Sequence, residues 1–316
     1  MKKEVLKSEN RKKHGFLHEL KKNRVLFLML LPAFAFFLVN SYIPMVGIYY
    51  AFTKFNFRGG LFGSPFVGME NFKYLWKSGT LLMTTRNTIL YNIVFIVLGN
   101  FLQILVAVLI SRMITRRYKK VMQSLMFLPY FVSAVILGVL AYNVFNYEHG
   151  LLNGILNAIG MEPLDVYNKP SYWPVIITLF YLWKELGYGM VIYLAAIMGI
   201  SEEYYEAAQM DGANIFQQIR YITIPLLQPT FVTLFLFSLG SIMHGQFDLF
   251  YQLVGNNGVL FSTTDIIDTY VYRTLTAYFD VGMGTAAGVY QSVFGFLLIM
   301  IVNAVVKHVN EEYALF

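Results

Sequence analysis

Apolar positions along this chain run in long unbroken stretches, not in the alternation of a half-buried strand or the one-sided stripe of a surface helix. Six stretches stand out, at about residues 25–52, 88–111, 122–146, 173–199, 228–251 and 284–306. Each approaches or exceeds the ~20 residues that carry an α-helix across a bilayer, so each predicts a transmembrane span. The intervals at about 53–87, 147–172 and 252–283 contain Gly, Asn or Pro and predict wet loops or short interfacial helices, too short for a folded outer domain. The fold class expected is all-α, a six-span membrane protein with both ends on one side.

A basic tail, MKKEVLKSENRKKHGFLHELKKNR, precedes the first stretch in the manner of a signal peptide. The apolar run behind it is far longer than the ~7–15 residues of an h-region and shows no small-residue cleavage pattern, which predicts a retained helix. The domain organisation expected is therefore a basic tail over 1–24 and a membrane domain over 25–316. Sixteen Lys and Arg flank the ends shared with the N-terminus, against seven on the other side, with Lys184 inside a span. By the positive-inside rule both termini are cytoplasmic, in a multi-pass protein of the plasma membrane.

Composition agrees: 57% hydrophobic and 13% charged residues are too apolar for a soluble domain of 316 residues. The net charge of +6 does not point to nucleic acid, because the basic residues sit in runs beside apolar stretches. There is no Cys, which excludes disulfides, thiol catalysis and thiolate metal sites. No G-x-x-x-x-G-K-[ST] sequence is available to cradle nucleotide phosphates, and no H-E-x-x-H to hold zinc. Neither an enzyme nor a metal site is expected.

Between the fourth and fifth stretches the chain reads SEEYYEAAQMDGANIFQQIRYITIPLLQPT. Ser201 is suited to N-cap a short helix, with Glu202 and Glu203 in the first turn where the helix dipole favours negative charge. Gly212 can take the left-handed backbone that ends it, Asn214 can cap a second short helix, and Pro225 stops or kinks the chain as it returns to the membrane. The result is a helix, a turn and a helix. Small side chains at Ala207, Ala208 and Gly212 beside the carboxylate of Glu206 suit a docking surface.

Glu206-Ala207-Ala208, Gly212, Ile222 and Ile224-Pro225 match, in type and spacing, the EAA motif of binding-protein-dependent ABC importer permeases. Ile224 departs from the usual Leu by a volume-conserving swap. NTILYN near 87–92, FLPYFVSAVILG near 127–138 and the closing EEYALF resemble the carbohydrate branch, above all permeases for complex oligosaccharides and polysaccharide fragments. The resemblance implies a type I ABC importer in which two permeases, here distinct ones, pair above two ATPase subunits. An extracellular sugar-binding lipoprotein delivers an oligosaccharide. Carried over, Glu206, Ala207, Ala208, Asp211 and Gly212 form the coupling helix over about 201–225, and Pro225 fixes its angle to the fifth span. ATP and Mg belong to the partner ATPase, which drives alternating access by rigid-body rotation of helices.

A sugar path needs aromatic faces and polar side chains turned toward a cavity. The fourth stretch offers Trp183, Lys184, Glu185, Tyr188 and Tyr193, and the fifth Gln246, Asp248, Tyr251 and Gln252. In relatives amides near the segment MHGQFDLFY line the sugar site, and Gln246 takes a position that is often Asn. Trp183, Tyr188 and Tyr251 read equally well as packing or interfacial aromatics. A lone charge at the bilayer centre costs at least about 2.5 kcal/mol, so Lys184 and Asp248 are expected to pair across neighbouring helices as a structural clamp. Gly282, Gly284, Ala286, Ala287 and Gly288 suit close helix crossing. Gly99, Asn100 and Gln103 give the second span a polar stripe of unassigned role. Competing readings are a permease for another small solute, a secondary sugar transporter, against which the lack of an evident internal repeat argues, and an intramembrane enzyme.

Overall fold

The computed structural model describes residues 22 to 309, apart from the side chains of Leu61 and Val309. The tail up to residue 21 and the closing EEYALF lie outside the described residues. The chain divides between Tyr49 and Tyr50 into two compact units, within the first apolar stretch. In the first unit α1 (Arg24–Phe37) continues as a π turn, Leu38–Tyr42, and then as a 3-10 helix beginning at Ile43.

The second unit is built from helices. They are α2 (Glu70–Lys77), α3 (Thr80–Ser111), α4 (Arg116–Phe127), α5 (Ala134–Phe145), α6 (Trp173–Met198), α7 (Glu202–Met210), α8 (Ile215–Gln218), α9 (Gln228–Gly240), α10 (Phe247–Val254), α11 (Ile267–Thr276) and α12 (Val281–Val309), with shorter turns between. Among the described residues the only β pairing is an isolated bridge between Thr53 and Phe66. Among the described residues four helices are long and apolar enough to cross a membrane: Arg24–Phe52, Thr80–Ser111, Pro170–Met198 and Val281–His308. The third and fifth expected spans exist only as bent pairs, with bends of 91° and 53°.

Both bends have a sequence cause. Pro129, in the 3-10 turn Leu128–Phe131, has no N–H for the Leu125 carbonyl, and Val132 and Ser133 are extended before Ser133 caps α5. In the fifth span Pro225 cannot donate to Tyr221, so the turn Ile219–Thr223 widens to π geometry, and Pro229 cannot donate to Pro225. The bend falls between the two prolines. The run expected as one span over 228–251 is also cut toward its C-terminal end: α9 stops at Gly240, a non-helical turn follows, and α10 is separate. The second span begins at Thr80, a full two turns before the apolar pattern does.

Packing follows small residues. α3 runs along α6, and α5 lies against α10, where a Cβ on Gly138 would sit 2.4 Å from the Gln252 carbonyl. A Cβ on Gly187 would sit 2.0 Å from the Met126 carbonyl, so this glycine sets the approach of α6 to α4. At the start of α12, Ala286 and Ala287 are buried with Leu75 and Leu81, as the small-residue pattern anticipates, whereas Gly288 meets nothing. The largest core gathers Tyr91, Phe95, Leu137, Trp173, Ile177 and Phe250. Trp173 closes it on the loop side by donating its Nε1 to the Val166 carbonyl at 3.0 Å. Beside it, burial pushes the Tyr167 phenol up to about 12, with Tyr142 adding to the effect, so this ring stays neutral at any physiological pH.

Candidate functional site

Three helices enclose a cavity of about 310 Å³: α3 through Asn92, Asn100 and Gln103, α6 through Tyr181, Glu185 and Tyr188, and α9 with its following turn through Ser238, His244 and Gln246. The turn Ser241–Gln246 is non-helical backbone within an apolar stretch, tolerated at membrane depth only where protein or a water-filled cavity satisfies it. Here three helices do so. Asn92 donates its amide to the carbonyls of Ile242 (2.9 Å) and His244 (3.1 Å). Asp268 at the start of α11 accepts from the Gly245 N–H at 2.7 Å and lies 3.8 Å from His244 Nδ1. Gln291 on α12 donates to the Met243 carbonyl at 2.7 Å and to Asp268 at 3.1 Å.

The opposite wall is equally constrained. Gly189 lacks the Cβ that would collide with the Gln103 amide, which crosses α6 there and donates to the Glu185 carbonyl at 3.4 Å. Tyr130 stacks on Tyr188 at 4.9 Å between centroids, and Phe95 on Tyr181 at 3.8 Å. The polar stripe Gly99, Asn100 and Gln103 therefore faces the cavity.

Of the residues expected along a sugar path, Glu185, Tyr188 and Gln246 line this cavity. The others stand elsewhere. Trp183 belongs to an apolar groove with Leu140, Val144, Leu179 and Phe180. Tyr193 is fully buried and donates its hydroxyl to Asn100 Oδ1 at 2.6 Å, positioning that amide. Tyr251 stacks on Phe247 beside Tyr272, and Asp248 is exposed, both on α10 outside the span.

The Lys184–Asp248 clamp does not form. Lys184 Nζ donates to the Tyr130 carbonyl at 2.8 Å, lies over the Tyr130 ring at 5.0 Å and is 4.0 Å from Glu185. The bend after Pro129 leaves carbonyls with no helical donor, and the ammonium supplies one at the end of a helix where positive charge is favoured. The buried ion pair among the described residues is instead Asp265 with Arg273, bidentate, with Thr269 donating to Asp265 at 2.8 Å and the guanidinium 3.9 Å over the Phe261 ring.

At the other end of the molecule the 201–225 segment folds as its caps anticipate. Ser201 accepts from the Glu203 N–H at 3.4 Å. Gly212 takes φ 78°, with Ala213 donating to the Ala208 carbonyl and Gly212 to that of Gln209, the paired bonds of a Schellman motif. Asn214 and Gln217 form a reciprocal capping box on α8. Arg112 at the end of α3 ties the segment down, donating to Gln218 (3.2 Å) and Thr223 (3.1 Å) and stacking on Tyr205, whose hydroxyl is 3.0 Å from Thr223. Glu206, Ala207, Asp211 and Gly212 are exposed and Ala208 is half-buried, and Pro225 is exposed just before the bend. Beside them Met210 and Phe216 are 88% and 78% exposed, an apolar surface on an otherwise polar segment.

Asn92, Gln291, Asp268 and the Asp265–Arg273 pair were not singled out by sequence. Asn92 had a signal, since it extends the polar stripe of Asn100 and Gln103 by two turns on the same helix face. Among the described residues no group of three or more His, Asp and Glu could hold a metal ion.

The family described as binding-protein-dependent transport system inner membrane component matches residues 99–311. The chain is 31% identical to the polygalacturonan/rhamnogalacturonan transport system permease protein YteP of Bacillus subtilis, over 98% of this chain and 95% of that one. It is 29% identical to protein LplB of the same organism, over 94% and 93%. A chain of a bacterial alginate ABC transporter, in a crystal structure with an alginate pentasaccharide-bound periplasmic protein, superposes with a TM-score of 0.83 at 29% identity, over 93% of this chain and 98% of that one. With the bent spans, the polar cavity and the capped segment in place, the chain belongs to the binding-protein-dependent transport family as a multi-pass permease subunit of the type I ABC importer fold.

Proposed function

We propose that this subunit carries an oligosaccharide through the membrane, in the cavity between α3, α6 and α9. The observation that carries this reading is the cavity lining, which sets the Tyr188 and Tyr181 rings beside Asn92, Asn100, Gln103 and Gln246. Aromatic rings cover the apolar faces of pyranose rings, and amides both donate to and accept from hydroxyls. Relatives named for polygalacturonan and rhamnogalacturonan and for alginate support a polysaccharide fragment as cargo.

The rest of the machine is proposed from the 201–225 segment. Glu206, Ala207, Ala208, Asp211 and Gly212 dock into a partner ATPase, with Met210 and Phe216 covered there, and Pro225 at the bend carries the motion into α9. A second, non-identical permease completes the pathway, two ATPase subunits bind ATP and Mg, and an extracellular sugar-binding lipoprotein delivers the cargo. Both termini are cytoplasmic.

The test is oligosaccharide uptake and ATP hydrolysis in proteoliposomes holding this chain with its partner permease, ATPase and binding protein, comparing the native chain with Gly212→Asp. No side chain crowds Gly212, so the substitution acts through the φ 78° backbone and the docking face, not the spans. Loss of sugar-stimulated hydrolysis in an intact complex is expected. Uptake that proceeds without ATP hydrolysis would overturn the reading in favour of a secondary transporter.

A further inference from the structure

A second cavity, of about 620 Å³, lies apart from the polar one between the spans. It lies where α3 ends, α4 begins and α6 gives way to α7, and four cations, Arg112, Arg116, Lys119 and Lys120, line it against one carboxylate, Glu202. None of the four is in an ion pair among the described residues. The proposed sugar path does not use it. At 3.6 residues per turn, Arg112 leaves α3, and Ile197 and Met198 leave α6, roughly half a turn away from the residues of those helices that face the α3–α6–α9 cavity. The basic cavity shares no lining residue with the cavity between the spans.

Its floor is α4, and α4 has the make-up of a helix lying in a membrane interface. Arg116, Arg117, Lys119 and Lys120 occupy its first turns, while Tyr118, Val121 and Leu125 stand exposed. The 91° bend to α5 sets α4 across the direction of the helix that enters the bilayer. Arg116, Lys119 and Lys120 share the face of α4 turned into the cavity and Tyr118, Val121 and Leu125 the opposite face, the two-sided pattern of a helix at a bilayer surface, so the pocket of cations suits the phosphate of an anionic phospholipid.

We infer that this cavity binds the phosphate headgroup of an anionic phospholipid from the cytoplasmic leaflet. Arg112 makes the site consequential, because the same guanidinium holds Gln218 and Thr223 of the 201–225 segment. The leaflet rests on the orientation proposed above; the binding does not.

The assembled complex, equilibrated in nanodiscs of phosphatidylcholine and phosphatidylglycerol, would be released from lipid and its retained lipids counted by native mass spectrometry. The native complex is expected to retain phosphatidylglycerol over phosphatidylcholine, and Lys119→Gln with Lys120→Gln to lose about five-fold in retention per charge removed, equivalent to about 1 kcal/mol each. The Lys119→Arg, Lys120→Arg chain, which keeps the charge, should retain it; should the double Gln variant not assemble, Lys119→Gln alone is read against it. Equal retention of both lipids by the native complex, or undiminished retention by the Gln variants, overturns the site. Displacement of the lipid by millimolar inorganic phosphate would make it a free-phosphate site instead. Because the chain has no Cys, labelling of a Lys120→Cys chain by a membrane-impermeant maleimide tests the leaflet separately, and labelling from outside the cell overturns it.

Discussion

The side-chain amide of Asn92 donates to the carbonyl of His244 at 3.1 Å, joining the second span to the one stretch of cavity wall that has no helix of its own. A carbonyl in that turn without a donor, buried away from water, costs about 1–3 kcal/mol. Asn92→Leu is therefore expected to lower the stability of the complex by about that amount and to reduce uptake. Asn92→Asp should be worse, because a carboxylate would face two carbonyl oxygens. Thermal unfolding of the purified complex, set beside uptake, checks both. If Asn92→Leu equals the native chain in each, the turn is held by Asp268 and Gln291 alone.

Asp265 and Arg273 are 2% and 8% exposed and bonded to each other. Removing one partner strands the other, which costs about 3–5 kcal/mol, while removing both costs much less. Arg273→Leu is expected to abolish accumulation of the complex in membranes, and Asp265→Leu with Arg273→Leu to restore a good part of it. A double variant no better than the single would show that the pair acts through Thr269 and Phe261 and not through its charges.

Lys184 caps the broken third span by donating to the Tyr130 carbonyl, and Asp248 stands apart from it. Lys184→Met is expected to destabilise the complex by about 1–3 kcal/mol, with Asp248→Asn close to neutral. The two should add within about 0.3–0.5 kcal/mol, the behaviour of sites that share no partner. A larger coupling energy would restore the clamp.

What could be read from the residues is local in origin. The caps at Ser201 and Asn214 and the left-handed Gly212 depend on neighbours within a few positions, and the structure carries them as the spacing predicts. The existence of membrane helices followed from run length alone. Their continuity did not, because the apolar run across 228–251 has the same hydropathy whether it is one helix or two joined by the turn Ser241–Gln246. That turn exists because Asn92, Asp268 and Gln291, from three separate elements, satisfy its backbone, and such long-range bonds leave no periodicity. The same blindness produced the Lys184–Asp248 clamp. A charge in a span demands a partner, but a carbonyl freed by Pro129 serves as well as a carboxylate, and only the folded chain tells them apart.

Tyr188 and Gln246 face one cavity, while Trp183, five residues before Tyr188 on the same helix, lies in an apolar groove with Leu179 and Phe180. Five residues carry a helix about 140° around its axis, enough to separate a cavity face from a packing face. If the cavity is the sugar path, Tyr188→Leu and Gln246→Leu each remove a contact worth about 1–2 kcal/mol, so the oligosaccharide concentration for half-maximal uptake should rise about 5- to 30-fold. Trp183→Leu should leave that concentration unchanged and act, if at all, on the amount of complex. Uptake kinetics in proteoliposomes, normalised to the quantity of assembled transporter, separate the two effects. A shift in apparent affinity confined to Trp183→Leu would move the sugar path to the other side of α6 and return the polar cavity to a purely structural role.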